Sequence, residues 1–398
     1  MGLAVVTGFS RNMIYGFYLD PSQLGAYAMV ITLSSYGVML QLGLLNGLSR
    51  ELPFLLGKGD SLRGSDLVGK VTLSSVLILS LSIALYFIIL SLMSFEDDLK
   101  RTSFYLAGLV VVPSHLLAIV MLRLRSEQRQ LSFALLHFTT MLIVITFGLI
   151  AIQFLSFIGA ILVLIFVNLL AFVIVSLRFL KKVNYSFLEK KDFFYLLRIG
   201  FPLMVTGLIV SLIMSVDKLF LIRFATASDL GIYQIGLLPV VLGISLNSIA
   251  NQYIYPKLLF EYGQGALLNQ LFKSSLTYTI GILGLMILLA PFVLFTLRFF
   301  INSYLPAYSQ SIFLLDIFYL SGVFLAMNLG DIICEVVKKT KILVYQNIAI
   351  LILALISYSL IYNESLIYYA YVFLILSIIK LFSSYLISYL LVRKYKKV

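Results

Sequence analysis

The chain has 398 residues, 61% hydrophobic and 12% charged, with a formal net charge of +12. That apolar content suffices for roughly twelve membrane crossings of about 20 residues each, and the charged share is about half the usual quarter; a water-soluble globular enzyme, a nucleic-acid-binding domain and a disordered chain are all excluded. The one cysteine, Cys334, excludes a disulfide framework and a cysteine-based metal cluster.

Apolar runs bounded by charged or turn clusters predict the spans in chain order. A short first span covers Leu3–Leu19, followed by Leu24–Leu45, Val71–Met93, Phe104–Leu122, Leu131–Phe154 and Phe157–Leu177. A basic segment at about 178–200 separates these from Phe201–Ile222, Leu230–Ala250, Ser274–Leu297, Ser311–Leu329, Ile342–Tyr362 and Leu366–Val392. These runs are too long for barrel strands, which need about ten alternating residues. The expectation is an all-α polytopic membrane protein of about twelve transmembrane helices. Its lobes are expected at 1–190 and 191–398, with short outer loops, the longest near 297–310.

The first span lacks a basic flank and is interrupted by Arg11-Asn12. It has neither the charged start nor the small-residue cleavage site of a signal peptide, and Val6 breaks the myristoylation pattern. A first helix lacking part of its start is expected.

Charge placement sets the orientation. Loops on the side of the C-terminal tail hold 22 Lys and Arg residues, from Arg50 to the last tail lysine, whereas the opposite loops hold four: Lys100, Arg101, Arg223 and Arg298. Basic residues mark cytoplasmic loops, so both termini are expected in the cytoplasm of a cell (inner) membrane. The positive balance is then topogenic, with attraction to anionic lipid, and nucleic acid is not a partner.

A shift of 206 residues places Ser22, Leu24, Gly25 and Tyr27 on Ser228, Leu230, Gly231 and Tyr233. The same shift places Gly57 and Gly59 on Gly263 and Gly265, and Arg11-Asn12 on Asp217-Lys218. Each half holds six spans, so the copies have one orientation and form two six-helix parallel repeats around a central cleft.

Three basic residues, Arg11, Lys218 and Lys380, fall inside spans. An ionised group at mid-bilayer costs roughly 2.5–3.5 kcal/mol on insertion scales, so such groups face a polar interior. One reading is a cationic cavity binding an anionic head group through Arg11, Lys218 and Lys380, with Asp217 pairing with a base or coupling an ion. The other is an ion pair that holds the lobes together. Asp316 lies inside the outer end of span ten as a second candidate for ion coupling, while Asp331 and Glu335 read as cytoplasmic. His115 and His137 read as packing residues, and Pro113, Pro239 and Pro291 as candidate helix breaks beside a cavity. No Gly-x-x-x-x-Gly-Lys-Ser/Thr, His-Glu-x-x-His or Gly-x-Ser-x-Gly element occurs, so no catalytic residue, metal site or cofactor is expected.

The stretch Leu19–Tyr27 (Leu-Asp-Pro-Ser-Gln-Leu-Gly-Ala-Tyr), with Leu42–Glu51 and Gly57-Lys-Gly-Asp60, resembles the Wzx-type polysaccharide-repeat-unit flippases of the multidrug/oligosaccharidyl-lipid/polysaccharide (MOP) exporter superfamily. Asp217-Lys218 and Asp229–Tyr233 are similar to that pattern in the second half, and the truncated first helix departs from it. The resemblance implies a lipid-linked oligosaccharide, typically on undecaprenyl pyrophosphate, moved to the outer leaflet for O-antigen, capsule or exopolysaccharide synthesis. It also implies contact with membrane lipids and, as candidate partners, a polysaccharide polymerase and a chain-length regulator. Each unpaired hydroxyl moved into hydrocarbon costs roughly 4–8 kcal/mol, so a hydrated path removes the main barrier. An inside-negative potential favours outward movement of the pyrophosphate by about 2.3 kcal/mol per charge per 100 mV. A cation-coupled drug or metabolite exporter of the same superfamily is the nearest rival, and a membrane polysaccharide polymerase or ligase the more distant one.

Overall fold

A computed structural model of the protein describes residues 11, 13–95, 97–179, 185–264, 266–337 and 339–395, and among these every regular element is helical. Helix α1 (Pro21–Gly37) opens on proline, which suits a first turn that needs no amide donor. It continues through a 3-10 turn at Val38–Gln41 and stops at Leu42 and Gly43, both left-handed (φ 59° and 88°). Helix α2 (Leu44–Gly57) follows. Asp60 and Asp97 then cap α3 (Ser61–Ser91) and α4 (Asp98–Ser126), accepting the amides of Arg63 at 3.1 Å and Leu99 at 2.8 Å.

Helix α5 (Gln130–Phe179) is 50 residues long, about 75 Å if straight and more than twice the hydrocarbon thickness. It is not straight. Ser156 has non-helical dihedrals (φ 54°, ψ −145°), and a Cβ on Gly159 would stand 2.6 Å from the Ala151 carbonyl carbon. The chain therefore doubles back at Ser156 into two arms, where the sequence predicts two spans.

Then come α6 (Lys190–Ile213), α7 (Val216–Phe224), α8 (Ala227–Gly236) and α9 (Leu238–Gly263). After α10 (Leu268–Tyr304) a 3-10 turn at Pro306–Ser311 leads into α11 (Ile312–Ala326), the short α12 (Asp331–Val336), α13 (Thr340–Leu360) and α14 (Leu366–Tyr395). Among the described residues nine helical stretches are long and apolar enough to cross a bilayer, or ten if α8 and α9, bent by 48°, count as one. Most of the predicted first span lies outside the described residues, as do Asn12 and Gly265 of the repeat and Lys181, Lys182, Lys338, Lys396 and Lys397 of the basic segments.

The outer loop expected near 297–310 is instead mostly helix, because α10 runs to Tyr304 and the 3-10 turn begins two residues later. Arg298, Asn302 and Ser303 end the apolar run without ending the helix. Predicted spans seven, eight and ten are broken, at Met214–Ser215, Leu237 and Met327–Gly330.

Chain contacts divide the protein into two compact units, Ser22–Ser211, and Met1–Pro21 with Leu212–Val398. In the first, Leu44, Leu48, Leu52, Val68, Val71, Ile119 and Leu196 form a buried cluster. Backbones approach closely there: a Cβ on Gly43 would lie 2.7 Å from the Gly200 carbonyl carbon. His115 is fully buried with Nε2 2.7 Å from Ser75 Oγ, and His137 stacks on Phe133.

In the second unit Gly322 packs against the Pro239 carbonyl, where a Cβ would come within 2.6 Å. The Tyr308 hydroxyl donates to Leu19 O at 2.8 Å, anchoring the segment before α1 to the turn before α11. Along α10, Leu288, Phe292 and Phe295 are 75%, 69% and 71% exposed on one face. An apolar stripe of that kind, over an interior whose mainly apolar core also holds buried serines and Asp217, is what lipid as the surrounding solvent demands.

Candidate functional site

The break between α6 and α7 positions the Asp217-Lys218 pair. Ser215 turns the chain (φ −147°, ψ 9°), and Lys218 Nζ donates to the Met214 carbonyl at 3.2 Å, supporting the interruption. Asp217 falls in the first turn of α7, where a negative charge meets the positive end of the helix dipole. Its side chain is 1% exposed. Oδ2 accepts the Tyr233 hydroxyl of α8 at 2.7 Å, and Oδ1 is buried without a hydrogen-bond partner. Among the described residues no base forms an ion pair with it. Tyr358 of α13 closes the pocket, its ring 6.0 Å from Phe220 and stacked on Tyr369 at 5.5 Å. The arrangement is a buried, aromatic-walled carboxylate with one oxygen left without a hydrogen-bond partner.

Lys380 sits near the middle of α14, and its ammonium is engaged. Nζ lies 2.9 Å from Asp331 Oδ2 and donates to Asn347 Oδ1 at 3.0 Å, while Ser384 donates to the other oxygen of Asp331 at 2.6 Å. Asp331 starts α12 and reaches the centre of the last helix. The hydropathy boundary at Leu329 hid this, because the chain breaks at 327–330 and resumes as helix.

Asp316 pairs with Arg298 across α10 and α11, both about half exposed. That pairing fits a mouth residue. Arg11 is half-buried and belongs to the same unit as Asp217 and Lys380. Asp217 and Lys380 do not share one pocket. Tyr358, beside Asp217, and Asn347, beside Lys380, are 11 residues apart on α13, or about 16 Å along the axis.

A second polar feature was invisible to a search for charges. Asn247, Ser248, Asn251 and Gln252 lie along one face of α9, spaced four apart in pairs, and line a groove of about 670 Å³. Asn328 from the break after α11, with Asp331 and Glu335 from α12, forms the opposite wall. Asn247 donates to the carbonyls of Ala326 and Asn328 at 3.2 and 3.1 Å, stabilising the broken segment, and Asn251 donates to Asn247 at 2.8 Å. The i, i+4 repetition of carboxamides inside an apolar run was the available signal. Among the described residues no cluster of three or more His, Cys, Asp or Glu is placed to hold a metal ion.

The fold is similar to those of solved membrane transporters. It is similar to lipid II flippase MurJ in an inward closed conformation, with TM-score 0.74 and 16% identity over 96% of this chain and 84% of MurJ. It is also similar to an inward-facing multidrug resistance MATE family transporter (TM-score 0.61, 15% identity, 100% of this chain and 96% of that one). A MOP superfamily transporter from Pyrococcus furiosus Vc1 (DSM3638), described as having a binding pocket of reverse polarity, matches with TM-score 0.60 and 15% identity over 100% and 95% of the chains. Among curated protein sequences none matches. The chain belongs to the polysaccharide biosynthesis protein family, whose model matches residues 2–261.

Proposed function

We propose that the protein is a flippase, not an enzyme, that carries a polyprenyl-pyrophosphate-linked oligosaccharide repeat unit from the cytoplasmic to the outer leaflet by alternating access. Membership in the polysaccharide biosynthesis family carries this reading, and likeness to a lipid II flippase over nearly the whole chain supports it. The functional lobes are the two six-helix copies at 1–190 and 191–398, with both termini in the cytoplasm. O-antigen or other lipopolysaccharide, capsule and exopolysaccharide are the pathways such a carrier serves.

In this reading Arg11 and Lys218 hold the pyrophosphate. Lys218 spends one of its three donors on Met214 O, leaving two for phosphate oxygens. Lys380 contributes through its pair with Asp331, and Asp217 couples an ion. A drug exporter of the same fold is favoured by one observation, the open carboxylate oxygen of Asp217, which suits cation coupling equally well.

Deletion separates the readings. Loss of surface glycan with lipid-linked repeat units stranded on the inner face supports the flippase. Unchanged glycan with altered drug susceptibility selects the exporter, and single repeat units accumulating on the outer face would point to a polymerase.

A further inference from the structure

The groove between α9 and α12 has a composition that calls for a ligand. Four carboxamides, Asn247, Asn251, Gln252 and Asn328, line it, each with two donor hydrogens and an acceptor oxygen. Polar side chains inside a membrane domain are costly unless they are paired or face water or a ligand. Part of this set is used internally, since Asn247 supports the break after α11. Yet Asn328 Oδ1 is buried with no hydrogen-bond partner, and the volume of about 670 Å³ lies within the roughly 300–1,000 Å³ of small-ligand sites.

The charge of the walls narrows the ligand. Asp331 is neutralised by Lys380 at 2.9 Å, whereas Glu335 forms no ion pair among the described residues and is exposed to the groove. Among the described residues the groove therefore carries carboxamides and one carboxylate with no basic partner. A sugar hydroxyl is both donor and acceptor, as a carboxamide is, and a row of them meets such a wall without leaving either side unpaired. A uronate or other acidic sugar would face Glu335 with like charge.

We infer that this groove is the glycan subsite of the carrier, accepting neutral or amino sugars and rejecting acidic ones. The inference rests on the flippase reading above. Under the expected orientation the groove opens in the cytoplasmic half, where the repeat unit is loaded. Asn251 and Gln252 are the recognition residues: each donates along its own helix, to Asn247 Oδ1 at 2.8 Å and Ser248 Oγ at 3.3 Å, and lines the groove, whereas Asn247 holds two backbone carbonyls across it.

The test uses the full chain in nanodiscs and three probes: undecaprenyl diphosphate, the same lipid bearing an N-acetylhexosamine disaccharide, and the same lipid bearing a disaccharide that contains a glucuronate. The disaccharide lipid should bind about tenfold more tightly than the bare lipid, as one to two net hydrogen bonds predict, and the glucuronate lipid should lose that gain. Asn251→Ala with Gln252→Ala should remove the tenfold gain while leaving bare-lipid affinity unchanged, which also shows that the variant is folded. Glu335→Gln should restore binding of the glucuronate lipid. A gain that survives the double substitution, or a glucuronate lipid bound as tightly as the neutral one, overturns the subsite while leaving the flippase reading in place. If no probe binds the unaltered protein, the flippase reading falls, and the subsite with it.

Discussion

Lys380 Nζ stands 2.9 Å from Asp331 Oδ2, tying the middle of the last helix to the first residue after the break in span ten. Asp331 also receives Ser384 at 2.6 Å, and Ser388 donates to Gly330 O at 2.7 Å. One face of α14 thus holds the restart of the broken span. Truncating one partner of a mostly buried pair strands the other charge, at a cost of about 3 kcal/mol, whereas replacing both with apolar groups is close to neutral. Lys380→Met and Asp331→Leu should each lower the melting temperature of the purified protein, and the double variant should recover most of the loss. A double variant no better than the sum of the singles would show that the pair is not coupled in the folded state.

The two remaining bases are expected to act on the substrate rather than on stability. Lys218 makes a single 3.2 Å bond to a carbonyl that solvent or a neighbouring amide can satisfy. Lys218→Met and Arg11→Ala should therefore leave membrane abundance near normal while abolishing surface glycan, and Lys218→Arg should retain part of it. Normal glycan in either charge-removing variant would reject the assignment of that base to the head group.

Close backbone packing gives a purely structural expectation. Gly43 has φ 88°, and a side chain there would meet the Gly200 carbonyl carbon at 2.7 Å, while Leu44 and Leu196 beside it are fully buried. Gly43→Ala is strained in its dihedral and in its contact, so a loss of about 1 kcal/mol or more is expected. Gly57, with no atom within 4 Å of its would-be Cβ, supplies the control, and Gly57→Ala should leave the melting temperature within error.

Helix positions were legible in the sequence because an apolar run of 20 residues has few alternatives to a membrane crossing. The hairpin at Ser156 was legible too, as Phe154 and Phe157 already bounded the two runs. The break in span seven was not, since hydropathy averages across the two residues Met214–Ser215, and the helix restarting at Asp331 after the four-residue break at 327–330 was not, since the apolar run had already stopped at Leu329. The partner of Lys380 was hidden for a related reason: Asp331 lies 49 positions earlier, past the point where the apolar run ends, and only folding brings them together. Asp217 was marked by its charge, its place in the repeat and its likeness to the family pattern. Its aromatic cage was not foreseen, because Tyr233 and Tyr358 look like any other membrane tyrosines until the helices are placed.

That cage sets the last expectation. Asp217 is 1% exposed, receives one hydrogen bond, from Tyr233 at 2.7 Å, and leaves Oδ1 without a partner. A carboxylate so placed is poorly solvated, so replacing it with a neutral isostere removes a burial cost while the amide oxygen still accepts from Tyr233. Asp217→Asn should therefore match or exceed the melting temperature of the parent, by up to about 1 kcal/mol in stability, while Tyr233→Phe should fall below it by about 1–3 kcal/mol because the charge loses its donor. If Asp217 carries the coupling ion, the same Asp217→Asn protein, reconstituted in liposomes, should move lipid-linked substrate at a rate that no longer responds to an imposed proton or sodium gradient. A rate that still follows the gradient would place ion coupling elsewhere in the chain and leave Asp217 as a packing element between α7, α8 and α13.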